Sequence, residues 1–186
     1  MPNSFILLTG MPGCGKTTII KRIVDELKKN GNNNIKGFYT RECRNSSGER
    51  TGFDIFTLDG SSTALARISS PTSKSSSYKV GKYNVYVSDF EGMCMKYLES
   101  HDGSLLVIDE IGKMELFSKK FETAVKNFLK IDNNLKILAT VPLKANINLI
   151  DQLKNHKNAR LYHITKSNRD EIYAEIYEAL QKMISS

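Results

Sequence analysis

The segment Gly10-Met11-Pro12-Gly13-Cys14-Gly15-Lys16-Thr17 constrains this chain more than any other stretch. It places Gly, Gly, Lys and Thr at the spacing G-x-x-x-x-G-K-[ST]. The apolar run Phe5-Ile6-Leu7-Leu8 precedes it, and a helical pattern of Ile19, Ile20, Ile23, Val24 and Leu27 comes after it. A strand, a glycine-rich turn and a helix in that order make a phosphate-binding loop. The glycines let the backbone turn sharply and bring its N–H groups close to an anion. The helix adds unpaired N–H groups and the positive end of its dipole. On this reading Gly10, Met11, Pro12, Gly13, Cys14, Gly15, Lys16, Thr17 and Thr18 hold the phosphates of a nucleotide. Lys16 reaches the β- and γ-phosphates, and the Thr17 hydroxyl binds Mg²⁺. The bland alternative is a glycine-rich turn at a helix N-terminus that binds nothing.

A chain of 186 residues with 40% hydrophobic and 25% charged residues reads as one globular domain, 1–186. No apolar run is long enough to span a bilayer, and the N-terminus has no basic-then-apolar signal region. No membrane association is expected. A cytoplasmic location is the default, with nuclear routing as the alternative. Cys14, Cys43 and Cys94 are odd in number and widely spaced, which suits reduced thiols rather than a disulfide framework or a zinc site. Cys14 occupies a free position of the loop motif. It reads as a small tolerated side chain, with a redox-sensitive loop as the alternative.

The net charge of +7 is concentrated in two acid-free stretches. Ser61–Ser88 holds Arg67, Lys74, Lys79 and Lys82. Lys154–Arg169 holds Lys154, Lys157, Arg160, Lys166 and Arg169. Such stretches suit a nucleic-acid surface, a pocket for a polyanionic nucleotide, or an ordinary solvated face. No aromatic-interleaved RNA motif or helix-turn-helix signal accompanies them, so nucleic acid is not expected as the main ligand.

Short apolar strands alternate with amphipathic helices along the chain. Strands are predicted at 4–9, 35–40, 84–87, 105–108, 135–139 and 161–164. Helices are predicted at 16–29 and 89–100, around Phe117, Phe121, Val125 and Phe128, around Ile147, Ile150 and Leu153, and from a capping-box start at Ser167 and Asp170 to Met183. This alternation indicates parallel βαβ units buried on both faces. Residues 42–58, with the turn Asn45-Ser46-Ser47-Gly48, suggest an inserted antiparallel hairpin. The Ser-rich stretch 69–77, with Pro71, is expected to be a mobile loop.

A phosphate loop alone only binds; an acid decides the fate of the bound phosphate. Leu105-Leu106-Val107-Ile108-Asp109-Glu110 has the form of a Walker B strand, with Asp109 emerging at its C-terminal edge, where ligands bind in open α/β sheets. Asp109 would hold Mg²⁺ opposite Thr17. Glu110 can orient and deprotonate a water aimed at the γ-phosphorus, which hydrolysis needs and binding does not. Candidates for stabilising the transition-state charge are Lys113, Arg41, Arg44, Arg67 and Arg169. Thr140 could hydrogen-bond the attacking water or the γ-phosphate, or merely cap a turn.

Further residues resemble one family. Gly37-Phe38-Tyr39-Thr40 with Glu42 and Arg44, Gly52-Phe53-Asp54-Ile55, Val80-Gly81-Lys82-Tyr83 and Thr165-Lys166-Ser167-Asn168-Arg169-Asp170 are all similar to its segments. The most specific is Ile108-Asp109-Glu110-Ile111-Gly112-Lys113-Met114-Glu115-Leu116-Phe117. Together they resemble the small P-loop nucleoside-triphosphatases, the group of the animal cancer-related nucleoside-triphosphatase and its thermophilic prokaryotic relatives. The Ser-rich stretch departs from that pattern in length and composition. The resemblance implies a single-domain α/β P-loop NTPase, RecA-like, with a mostly parallel sheet flanked by helices. It implies Mg²⁺-dependent hydrolysis of nucleoside triphosphates (ATP, GTP, CTP and UTP) to diphosphate and phosphate, with broad base tolerance. A monomer is expected, although the sequence itself does not reveal the oligomeric state. The resemblance also implies that Asn168 and Arg169 lie near the nucleotide. A nucleoside or polynucleotide kinase is the alternative enzyme, and a nucleotide-dependent switch the alternative outside catalysis.

Overall fold

Strand β1 (Phe5–Thr9) is buried along its whole length. Side chains alternate across a strand with period two, so a strand buried on both faces must be apolar at every position. Phe5 and Leu7 enter one hydrophobic cluster, and Ile6 and Leu8 enter another on the opposite face. Strand β7 (Leu105–Asp109) behaves likewise, with Leu106 and Ile108 on the first face and Leu105 and Val107 on the second.

The computed structural model describes residues 4–70, 74–99, 103–130 and 135–185. Its strands join in one sheet of order β5 (Tyr78–Val80), β6 (Tyr83–Val85), β4 (Ser62–Ile68), β3 (Arg50–Thr57), β2 (Ile35–Arg44), β7, β8 (Lys136–Thr140), β1 and β9 (Ala159–His163). The core is parallel: β2, β7, β8, β1 and β9. Helices α1 (Lys16–Lys29) and α5 (Arg169–Ile184) cover one face. Helices α2 (Val87–Leu98), α3 (Lys119–Phe128) and α4 (Asn148–Lys154) cover the other. No helix among the described residues is long and apolar enough to cross a membrane.

Strand β2 serves both halves of the sheet. Ile35–Tyr39 pairs in parallel with β7, while Phe38–Arg44 pairs antiparallel with β3 (Arg50–Thr57). Gly37 permits the close approach: it has φ +123°, and a Cβ there would lie 1.9 Å from the Val107 carbonyl oxygen.

The antiparallel insertion is wider than one hairpin. Beyond β3 lie β4 (Ser62–Ile68), then β6 (Tyr83–Val85) and β5 (Tyr78–Val80), each antiparallel to its neighbour. Part of the Ser-rich stretch is tied to this edge. Lys74 pairs with Asp89 at 2.8 Å, and the Ser76 hydroxyl donates to the Val85 carbonyl. Pro71 and the predicted helix end at residue 100 lie outside the described residues.

The helix expected to run from Phe117 is two pieces. A 3₁₀ turn, Glu115–Phe117, ends at Ser118, which caps α3 by accepting the Phe121 N–H at 3.0 Å. Its hydroxyl also donates to Glu91 at 2.7 Å, although Ser118 is fully buried. Ser118→Ala removes both bonds, so the unfolding free energy from urea titration should fall by about 1–2 kcal/mol, with a lower midpoint. An unchanged midpoint would show that the cap contributes nothing.

Four of the nine basic side chains in the two acid-free stretches are engaged locally. Arg67 pairs with Asp54, Lys74 with Asp89 and Arg160 with Glu175. Lys154 donates to the Pro142 and Leu143 carbonyls, at 2.7 and 3.0 Å. These side chains are spent on local structure.

Candidate active site

The turn from β1 into α1 sits at the C-terminal edge of the parallel strands. Gly10 lies against the end of β9, where a Cβ would come 2.2 Å from the Ile164 carbonyl oxygen. Gly13 and Gly15 adopt φ of +73° and +110°, and Gly15 is the N-cap of α1. Such left-handed backbone turns the chain so that N–H groups converge ahead of the helix. Lys16 reaches back across the loop, with Nζ donating to the Gly10 and Met11 carbonyls at 2.9 and 3.2 Å. Cys14 points inward and is buried, so only its backbone faces the loop; a sulfur sealed in this way is poorly placed for a redox role.

Strand β8 lies between β1 and β7, and the edge of the sheet carries Asp109 toward Thr17. Asp109 is 2% exposed. Burial raises its pKa, opposed by the hydroxyls of Thr140 and Thr17 and by the charges of Lys16 and Lys21. Thr140 donates to Asp109 Oδ1 at 2.5 Å. The single Thr140 proton therefore goes to this carboxylate and not to a phosphate. Asp109 Oδ2 is buried without a hydrogen-bond partner among the described residues. An orphaned carboxylate oxygen beside a threonine hydroxyl is what a hard divalent cation requires. Among the described residues no three His, Cys, Asp or Glu side chains gather as metal ligands. Mg²⁺ binds through one or two protein oxygens and completes its shell with water and phosphate, and Asp109 Oδ2 with the Thr17 hydroxyl fits that need.

Glu110 comes directly after Asp109 and is partly buried. Burial and the neighbouring Asp109 raise its pKa, while Lys16 opposes them. After it the chain turns at Gly112, where a Cβ would lie 3.0 Å from both Glu110 Oε1 and Glu115 Oε2. The two carboxyl groups thus flank one backbone position. Glu115 is 4% exposed and accepts the Gly112 N–H at 3.1 Å. Burial, together with the Glu110 charge, pushes its pKa up to about 8. Sequence reasoning gives Glu115 no role. It belongs to the family-specific stretch Ile108–Phe117, but that stretch is too short for periodicity to report the burial of an acid.

A cleft of about 520 Å³ brings these elements together. Pro12, Gly13, Gly15, Lys16, Thr17 and Thr18 line one wall, with Asp109 and Glu110 at its base. The other wall is the β2–β3 hairpin, with Thr40, Arg41, Glu42, Arg44, Arg50 and Phe53. Of the expected cations, Arg41 and Arg44 reach this cleft. Arg67 is bound to Asp54 and to the Phe53 and Ala66 carbonyls instead. Lys113 is exposed and lines neither this cleft nor the recess beyond Glu110; it lies close after Asp109-Glu110 in sequence, but the turn at Gly112 carries it away. Arg50 carries no sequence signal of its own. It and Arg44 both pair with Glu42. A smaller recess of about 340 Å³, lined by Met11, Pro12, Pro142, Leu143 and Lys144, shares Lys16 and Glu110 with the cleft.

The family resemblance puts Asn168 and Arg169, in the turn from β9 into α5, near the nucleotide. Arg169 does pack over the loop, its Cδ 3.3 Å from where a Gly15 Cβ would be. Asn168 does not present its amide to the cleft. Its Oδ1 accepts the Thr165 N–H at 2.8 Å and its Nδ2 donates to the His163 carbonyl at 2.9 Å. The predicted capping box is absent, because α5 starts one residue later with Asn168 as N-cap.

Residues 5–177 match the model of a protein family described as NTPase. The chain belongs to this family. It is 39% identical over 178 residues to a protein named nucleoside-triphosphatase THEP1 from Thermotoga sp. (strain RQ2), covering 95% of each chain. It is 37% identical to the cancer-related nucleoside-triphosphatase of Homo sapiens, covering 95% of this chain and 96% of that one. The crystal structure of THEP1 from Aquifex aeolicus superposes with a TM-score of 0.82 at 35% identity, covering 95% of this chain and 99% of that one. As an NTPase-family member it carries the α/β fold that its sequence implied, with the antiparallel strands extending one edge.

Proposed function

We propose that this NTPase hydrolyses nucleoside 5′-triphosphates to diphosphate and phosphate, with Mg²⁺ and little selectivity for the base. The observation that carries this reading is the common cleft of Lys16, Thr17, Asp109 and Glu110. The triphosphate lies along the loop, its charge met by Lys16 and by the backbone N–H groups of Gly13–Thr18. Thr17 and Asp109 Oδ2 would hold Mg²⁺, which supplies charge neutralisation across the β- and γ-phosphates. Glu110 accepts a proton from water as the water oxygen bonds to the γ-phosphorus. The bond to the β–γ bridging oxygen breaks, and its electron pair leaves with the diphosphate.

Weak base selectivity is expected from the lining of the cleft. Its floor and loop wall are built for phosphate and metal, and the Asn168 amide is turned to the Thr165 N–H and the His163 carbonyl, away from the cleft lining. The same fact disfavours a guanine-specific switch. A kinase is disfavoured by the relatives, which are named as triphosphatases.

Phosphate release from ATP, GTP, CTP and UTP, with Mg²⁺ and with chelator, tests the proposal. All four should be hydrolysed without an added acceptor, at rates within about tenfold of each other, since one pocket contact typically discriminates by that factor or more. Chelation should stop release. A strict requirement for an acceptor that becomes phosphorylated would contradict it.

A further inference from the structure

The cleft holds three arginines, but only one of them is uncommitted to an acid. Arg44 and Arg50 converge on the two oxygens of Glu42, and Arg44 also donates to the Gly48 carbonyl at 2.7 Å. Arg41 has no acidic partner among the described residues. Its guanidinium lies over the Phe56 ring, 4.3 Å from the centroid. Phe56 stacks on Tyr39 at 5.6 Å and 12°, and Lys21 Nζ lies 4.1 Å over the other partner of that stack. The result is a ladder of cation, ring, ring and cation along one face of β2 and β3. Stacking of this kind fixes a guanidinium plane while leaving its donors open.

The strand register places Arg41 over the reacting end of the site. Tyr39 pairs with Asp109 across β2 and β7, so Arg41 stands two residues past the metal-facing carboxylate, about 7 Å beyond the edge of β7. The Arg41 charge is also felt at Lys21. Burial and then the Arg41 charge hold its pKa down, against Asp109 and Asp25. Two cations on one pair of stacked rings, neither in an ion pair among the described residues, suit a polyanion more negative than the resident carboxylates.

We propose that Arg41 is a catalytic residue supplied in cis by the β2–β3 hairpin, contacting the transferring phosphoryl group and stabilising the charge that builds as the bridging bond breaks. It rests on the hydrolase reading of the cleft. Water attacks the γ-phosphorus, its proton passes to Glu110, and the electron pair of the breaking bond moves onto the diphosphate oxygen. Arg41 neutralises charge on the oxygens between these two events. Phe56 is then a positioning residue that holds the guanidinium plane.

The test compares wild type, Arg41→Ala, Arg41→Lys and Phe56→Leu. For Arg41→Ala, kcat should fall about 10²-fold with KM changed by less than about threefold, the signature of an interaction made in the transition state. Arg41→Lys should recover only part of kcat, because a point charge replaces a planar fork. Phe56→Leu should lower kcat with its pH profile unmoved. Binding gives a readout apart from turnover: Arg41→Ala should bind MgADP as wild type does, but should lose affinity for MgADP with aluminium fluoride. A raised KM with unchanged kcat, or undiminished aluminium fluoride binding, would overturn the role of Arg41. Absence of wild-type hydrolysis would overturn the reading beneath it.

Discussion

Glu110→Gln should retain Mg-nucleotide binding and lose about 10²- to 10⁴-fold in phosphate release, the usual contribution of a positioned general base. Gln keeps the shape and hydrogen-bonding reach of Glu but cannot take a proton from water. Glu110 shares its cleft with Lys16, Thr17 and Asp109, which would hold the nucleotide and metal in the variant. Its pKa is raised by burial and by Asp109, and opposed by Lys16. A base whose pKa moves upward toward neutrality accepts a proton more readily during reaction. The check pairs a binding titration with a non-hydrolysable nucleotide and single-turnover phosphate release. Turnover within about threefold of wild type would remove Glu110 from the mechanism, since a positioned base contributes far more.

Glu115→Gln should make the protein more stable at high pH and flatten its stability–pH curve. Glu115 is buried with its pKa pushed up to about 8, against about 4.3 in an unfolded chain. Between those values the native state holds a proton that the unfolded state has released. Stability must therefore fall as pH rises from about 4.3 to about 8, and level off above that. Each pKa unit is worth about 1.4 kcal/mol, so the full penalty is on the order of a few kcal/mol. Gln removes the ionisation and keeps an oxygen able to accept the Gly112 N–H. Melting temperatures measured from about pH 5 to 9, a range spanning the shifted titration, should decline less in the variant than in wild type. Parallel curves would show that Glu115 ionises freely in the folded protein.

Legibility in the sequence depends on where the signals are dense. The β1-loop-α1 unit and β7 are legible because a fixed glycine spacing and two uninterrupted apolar runs occur together. Strand β4 is not, because Ser62–Ile68 alternates through Thr, Ala and Arg with few large apolar residues. The sheet buries only Leu65 and Ala66 there. The acid-free stretches suggest a surface charge, but ion pairs form between residues distant in sequence, as Arg67 with Asp54 does, and composition cannot see them. Lys113 and Asn168 illustrate the same limit at the site. Each lies beside a functional motif in sequence, and a turn of one or two residues decides whether it faces the cleft. Arg50 and Glu115 escape notice for the converse reason, since only the folded hairpin and the turn at Gly112 bring them to the site.

Hydrolysis requires that the phosphate loop and the Asp109-Glu110 edge act as one site on one nucleotide. A crystal structure of the Glu110→Gln protein with Mg²⁺ and ATP would show whether they do. The γ-phosphate should lie between Lys16 and residue 110, with the metal ion contacting the Thr17 hydroxyl and lying beside Asp109 Oδ2. Nucleotide bound elsewhere, or with its γ-phosphate out of reach of residue 110, would contradict a shared hydrolytic site.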